Sequence, residues 1–139
     1  YEARCRKPTL FPGVTELLAA IDRKGLVWGI VTNKPQEFAE AIAASTPAMA
    51  RCAIVVGSRP GVPLKPAPDG ILRALKELAL KPEQTLYTGD DRRDIEAGKA
   101  AGTSTLLALW GYRPKDADTS LWAPDFTASS PEDIIRLLP

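Results

Sequence analysis

The chain predicts an α/β fold, a doubly wound three-layer α/β/α sandwich around a parallel sheet, and three observations predict it. Short apolar runs alternate with stretches of helical period along the whole length. The run at 26–31 is near-continuous, as in a strand buried on both faces, and the run at 52–56 is a second buried-strand candidate. Strands that alternate with helices pair in parallel through right-handed crossovers.

The elements follow in order. Val14, Leu17, Leu18 and Ile21 recur at i, i+3, i+4 and i+7, one face of an amphipathic helix, and Gly25 stands at its C′ position. The run 26–31 is the first buried strand. Pro35 suits the N1 position of a second helix whose apolar face carries Phe38 and Ile42. The run 52–56 is the second strand. Pro68 opens a third helix bearing Ile71, Leu72, Leu75 and Leu78. A strand over 85–87 leads through Thr88 into a helix from Asp91 to Ala101 that Gly102 ends. The run 105–109 is another strand, and Phe126, Thr127 and Ala128 form a short edge strand. Ser130, with Pro131 and Asp133 behind it, is the N-cap of a last helix through Leu138. Residues 112–122 form a polar loop, long enough to reach over an active-site mouth and equally compatible with a plain surface connection.

Composition narrows the chemistry. With 139 residues, 45% hydrophobic and 25% charged, the chain is most simply one domain with a real core. A net charge of +1 gives no electrostatic case for nucleic acid or an acidic membrane. There is no histidine, which excludes a histidine base, nucleophile or zinc ligand. Cys5 and Cys52 are isolated, which argues against a cysteine zinc site and fits a reducing cytoplasm. No apolar run approaches the ~20 residues of a membrane span.

Polar groups stand just past three of the predicted strands. Thr32 and Asn33 follow the first, Lys65 lies between the second strand and the third helix, and Asp90, Asp91 and Asp94 follow the strand at 85–87. Ligands of open α/β sheets bind outside the carboxyl ends of the strands. Carboxylates there suit a hard cation such as Mg²⁺, which shares its oxygen ligands with substrate phosphate. Thr32 and Asn33 can donate to phosphate oxygens. Lys65 can neutralise charge on a transferred phosphoryl group, a contact of roughly 4 kcal/mol at ~4 Å in an effective dielectric of ~20 before desolvation. Asp90 can ligate Mg²⁺, with Asp94 one turn on holding a metal-bound water. Each has a plainer reading: Thr-Asn and Asp as helix caps, Lys65 as a solvated loop residue, Arg92 and Arg93 as a solvated face, and Trp28, Trp110 and Trp122 as packing. Their joint occurrence, in order and each after its own strand, favours the phosphate reading.

The ordered set Pro12-Gly13-Val14, the stretch Ile30-Val31-Thr32-Asn33-Lys34-Pro35, the stretch 65–70 and the stretch 88–102 resembles the haloacid dehalogenase-like phosphatases, and within them the phosphoglycolate phosphatase group; Trp110-Gly111-Tyr112 fits the same group. The resemblance implies a Rossmann-like core and a Mg²⁺-dependent aspartyl-phosphate mechanism acting on a small phosphorylated metabolite. It assigns Thr32, with Asn33 beside it, to the motif that hydrogen-bonds the phosphoryl group. Lys65 becomes the lysine that holds nucleophile and phosphate, Asp90 the metal ligand, and Asp94 its support. The family's first motif, Asp-x-Asp-Gly-Thr, supplies the nucleophile and is absent here. By this resemblance residues 1–10 are the end of the family's helical cap, the remainder of 1–139 is the core, and the first strand is missing. That strand belongs centrally, between those carrying Thr32 and Asp90, so a gap or an altered pairing is expected there. The complete protein is expected to hydrolyse 2-phosphoglycolate. The alternatives are an N-acetylmuramic acid 6-phosphate phosphatase, which the runs at 26–29 and 110–124 also resemble, and a non-catalytic phosphatase-like scaffold.

Overall fold

The computed structural model describes residues 13–110 and 122–139. The segment 1–10 and all but the last residue of the loop 112–122 lie outside the described residues. Along the chain run α1 (Val14–Arg23), β1 (Ile30–Pro35), α2 (Gln36–Ser45), β2 (Val55–Ser58), α3 (Asp69–Leu78), β3 (Leu86–Gly89), α4 (Arg92–Ala101), β4 (Ser104–Ala108), β5 (Phe126–Ala128) and α5 (Pro131–Leu137). The alternation expected from the sequence is present, and every strand pair is parallel.

The sheet is divided. β1 pairs with β2, and β3, β4 and β5 pair in that order, with no backbone ladder between β1 and β3. This is the gap expected between the strand of Thr32 and the strand that leads to Asp90. The Ile30 amide donates to the Ile54 carbonyl at 2.9 Å. Backbone groups of successive strand residues face opposite ways, so the Val31 amide and carbonyl face the gap.

The first two strands begin later than the apolar runs suggest. Residues 26–29, which form no regular element, precede β1, and pairing starts where the Ala53 amide reaches the Trp28 carbonyl at 2.8 Å. Gly29 permits that approach, since a Cβ there would meet Ile54 Cγ2 at 2.7 Å. The expectation that the first strand is buried on both faces does not hold: β1 is nowhere more than partly buried, because no strand covers its second edge among the described residues. The ladder is also irregular. Val31 pairs with Val56 and Pro35 with Ser58, so four steps along β1 match two along β2. Thr32 and Asn33 sit in that bulge, inside β1 rather than just past it.

Two clusters build the core on either side of the sheet. Leu17 of α1, Leu106 of β4, Ala128 of β5 and Ile134 of α5 form one, with Ile21, Trp110 and Ile135 against it. Ile71 and Leu75 of α3 join Ala97 and Ala101 of α4 in the other, with Val31, Leu80 and Tyr87 against it. Burying Ile71 or Leu75 contributes about 1.5–3 kcal/mol each. Leu72 was expected on the same face and is instead 44% exposed, and Phe38 of α2 is 45% exposed. α2 turns the small Ala39 inward and packs closely on β2, which leaves the phenyl ring outside.

The helix ends follow local chemistry. At the end of α1, Leu26 donates to the Ile21 carbonyl and Gly25 to that of Asp22, with Gly25 at φ 70°, a Schellman ending. Ser130 occupies the N-cap of α5 without a side-chain cap bond; instead the Asp133 carboxylate accepts from the Ser129 amide at 3.0 Å.

Candidate active site

The β3–α4 junction organises the site. Asp91 is the N-cap of α4 and accepts from the Arg93 amide at 3.2 Å, and Asp94 at N3 reaches back to the Asp91 amide at 3.2 Å. This reciprocal capping satisfies donors that a helix start leaves free. The same Asp94 Oδ2 accepts the Asp90 amide at 3.1 Å. Gly89 makes the fold-back possible: a Cβ there would fall onto the Asp94 side chain. Gly98 plays a similar part lower on α4, where a Cβ would meet Thr105 Cγ2 at 2.7 Å.

Asp94 Oδ1 is left facing inward, and Lys65 meets it at 2.5 Å with both side chains nearly buried, at 14% and 11% exposure. Lys65 arrives from the loop between β2 and α3, held at its backbone by Asn33. The Asn33 Oδ1 accepts from the Lys65 amide at 2.9 Å, and its Nδ2 donates to the Lys65 carbonyl at 3.3 Å. The ammonium also donates to the Tyr87 hydroxyl at 3.0 Å and to the Val31 carbonyl at 3.2 Å. Removing one partner from such a buried pair strands the other charge, which typically costs about 3–5 kcal/mol.

Asn33, Lys65 and Asp94 are therefore joined directly, and the Asp90 backbone is tied to Asp94. Thr32 stands apart from this network: its hydroxyl accepts from the Lys34 amide at 3.2 Å. It lines, with Asn33, Ser58 and Lys65, a hollow at the ends of β1 and β2. A neighbouring cleft of about 290 Å³ is lined by Lys65, Tyr87, Thr88, Asp90, Asp94 and Trp110. Lys65 belongs to both and separates the hydroxyl–amide side from the carboxylate side.

The electrostatics follow from burial and partners. Burial works to lower the Lys65 pKa, but the charges and hydrogen bonds of Tyr87 and Asp94 outweigh it and hold the ammonium above its ordinary 10.5. Burial raises the Tyr87 phenol above its ordinary 10.0, only partly countered by Lys65. Slight burial pushes Asp91 upward, but the bonds and charge of Arg93 prevail and hold its carboxyl below the ordinary 3.8.

Sequence reasoning missed Tyr87, read only as part of an apolar strand. Its hydroxyl donates to the Val31 carbonyl at 3.0 Å across the gap and receives Lys65. A signal was present: strand alternation puts Tyr87 on the face of Gly89, and hence of Asp94. Gln36 was missed too, though its role is structural. It donates to the Val55 carbonyl at 2.8 Å and accepts from the Gly57 amide at 2.5 Å, tying α2 to β2.

This arrangement of cation, amide and carboxylates at the carboxyl ends of parallel strands has relatives. The family model for haloacid dehalogenase-like hydrolases matches residues 1–108. The chain belongs to that family. It is 38% identical over 128 residues to the N-acetylmuramic acid 6-phosphate phosphatase of Pseudomonas aeruginosa, a match covering 92% of this chain and 57% of the relative. It is 39% identical over 125 residues to the phosphoglycolate phosphatase of Xanthomonas campestris, covering 90% of this chain and 57% of the relative. The crystal structure of a predicted phosphoglycolate phosphatase from Haemophilus somnus matches with a TM-score of 0.88 and 25% identity, over 99% of this chain and 61% of that one. The chain thus spans somewhat more than half the length of these curated relatives.

Proposed function

We propose that this chain is the core of a Mg²⁺-dependent phosphatase that, in its complete form, hydrolyses a small phosphomonoester through an aspartyl-phosphate intermediate. The observation that carries this reading is the nearly buried Lys65–Asp94 pair at the lip of the cleft, with Asp90 beside it. A buried cation with fixed geometry is what a phosphoryl group's developing charge requires, because phosphoryl transfer is catalysed mainly by positioning and charge stabilisation.

Each residue has a part. Thr32 and Asn33 donate to phosphate oxygens, Asn33 also fixing the Lys65 backbone. Lys65 neutralises charge on the phosphoryl group. The carboxylates fit a magnesium ion in a limited way. Among the described residues no group of three or more acidic, cysteine or histidine side chains is clustered for a metal. Mg²⁺ commonly takes only one or two protein carboxylates and completes its shell with water and phosphate, which Asp90 and Asp94 suit. Both Asp94 oxygens already accept hydrogen bonds, so Asp90 is the direct ligand and Asp94 the group behind it. When bound, the ion would offset phosphate charge opposite Lys65.

The favoured substrate is 2-phosphoglycolate, supported by the Xanthomonas relative; the Pseudomonas relative supports N-acetylmuramic acid 6-phosphate as the second reading. The cytoplasm is the proposed compartment. The nucleophilic aspartate is not among the motifs of this chain, so the 139 residues alone are expected to be inactive. Phosphate release from both substrates, with Mg²⁺ and with EDTA, tests this on the complete protein and on the isolated chain. The complete protein should favour 2-phosphoglycolate and require the ion. Robust turnover by the isolated chain would sink the assigned division of labour, and a preference for the amino-sugar phosphate would select the second substrate.

A further inference from the structure

Among the described residues β2 pairs only with β1, and its sequence makes the other edge a pairing hazard. Residues 52–58 carry no charge and no proline, include Ile54, Val55 and Val56, and are flanked by Arg51 and Arg59. An uncharged run of β-branched residues on an open edge invites pairing with another chain. Strand alternation says which groups face that edge. Ile54 gives its carbonyl to the Ile30 amide of β1, so Val55 and Gly57 turn their backbone groups the other way. Those groups are already taken. The Gln36 carboxamide donates to the Val55 carbonyl at 2.8 Å and accepts from the Gly57 amide at 2.5 Å. One residue of a further parallel strand would make the same two bonds, to the carbonyl before and the amide after its partner. The second Nε2 hydrogen goes to Glu40 at 2.7 Å, so the carboxamide has no donor left over. Gly57 admits the close approach: a Cβ there would meet the Gln36 Cα at 2.6 Å.

We infer that Gln36 guards the outer edge of β2: its carboxamide stands in for a peptide unit of the next strand and keeps a second copy of this chain from adding there through the same segment. A second copy is the partner because the run is apolar and uncharged, and so matches itself. The inference is independent of the phosphatase reading. Arg51 and Arg59 act at the ends of the run, as charges that flank an unavoidable hydrophobic strand do. Gln36 acts at its middle, where there is no charge. The guard stands on a packed element, since Ala39 of the same helix is buried and α2 lies against β2.

The test uses the complete protein, in which the first strand is expected to fill the gap between β1 and β3, so that the variants differ at the edge of β2 alone. Gln36→Ala frees the Val55 carbonyl and the Gly57 amide. At low concentration, hydrogen exchange of the Gly57 amide, read by NMR, should quicken about tenfold. As concentration rises, sedimentation velocity should show a larger species that the unmutated protein lacks, and the Gly57 amide should regain protection in step with it. Gln36→Glu keeps the length and the acceptor but has no hydrogen for the Val55 carbonyl at neutral pH. It should act in the same direction, and it carries the test if Gln36→Ala does not fold. Glu40→Ala removes only the contact of the carboxamide with its own helix and should leave exchange and sedimentation unchanged. Unchanged Gly57 exchange in the Gln36 variants would overturn the inference, and so would quickened exchange with no association at any concentration. Association that leaves Gly57 unprotected would also overturn it, because the copies would be meeting elsewhere, as would an equal effect from Glu40→Ala.

Discussion

β1 and β4 begin from similar sequence and end in different environments. Both come from apolar runs read from sequence as strands, and the run of β1 is the one read as buried on two faces. β4 lies between β3 and β5, and its Leu106 and Leu107 are completely buried. β1 has β2 on one edge and a gap on the other, remains only partly buried, and bulges at Thr32 and Asn33. The difference teaches that an apolar run specifies strand character, while burial is conferred by neighbours. It also shows how the two halves of the sheet are held without a ladder: by the apolar cluster shared by α3 and α4, and by side chains of Lys65 and Tyr87 reaching the Val31 carbonyl.

The largest expected effect comes from breaking that link. Asp94→Ala leaves Lys65 nearly buried without its counter-charge and removes the acceptor for the Asp90 and Asp91 amides. A loss of about 3–5 kcal/mol in urea-induced unfolding is expected. The same measurement on Arg73→Ala, which removes the exposed Arg73–Glu77 pair at 3.3 Å, should show no more than about 0.5 kcal/mol. Equal losses would mean that the Lys65–Asp94 pair does not join the two halves.

Next in size is the direct comparison of the strands. Leu106→Ala should cost about 2–5 kcal/mol, because a fully buried side chain leaves a cavity in packed surroundings. Val31→Ala should cost less than half as much, since β1 is only partly buried and its side chain lies at the margin of its cluster. Comparable losses at the two positions would show that β1 is as deeply packed as its sequence suggests.

That contrast also marks what the sequence made legible. Periodicity located α1 and α3, and residue chemistry located α4 and the helix ends, because Gly25, Asp91 and Gly102 act within a few residues of themselves. β5 was legible for the same reason. The bulge in β1 was not, because it depends on how β1 meets β2 from a distant part of the chain. The order of polar groups after strands suggested the candidate residues, and of these the structure brings Asn33, Lys65 and Asp94 into contact. The hold on Lys65 by Tyr87 was hidden, because it requires knowing that β1 and β3 face each other across a gap. Phe38 and Leu72 went the same way: helical period names a face, but the neighbour decides how wide that face is.

The smallest expected effect leaves the sequence untouched and loosens the link by pH. Lys65 and Tyr87 both have folded pKa values above their ordinary 10.5 and 10.0. A group that binds its proton more tightly when folded contributes stability that is fully present below the unfolded pKa and is lost as pH rises through the folded one. The window therefore opens near pH 10 and extends upward. As Lys65 loses its charge, the attraction to Asp94 goes; as Tyr87 ionises, the hydrogen it gives Val31 goes. Urea midpoints should stay level from pH 7 to about pH 9 and then decline, because both groups remain protonated until their ordinary range is passed. In Lys65→Met the decline should be shallower, since the coupled ammonium is gone while the rest of the chain titrates as before. A decline equally steep in Lys65→Met would place the alkaline sensitivity elsewhere and leave the gap between β1 and β3 without its electrostatic hold.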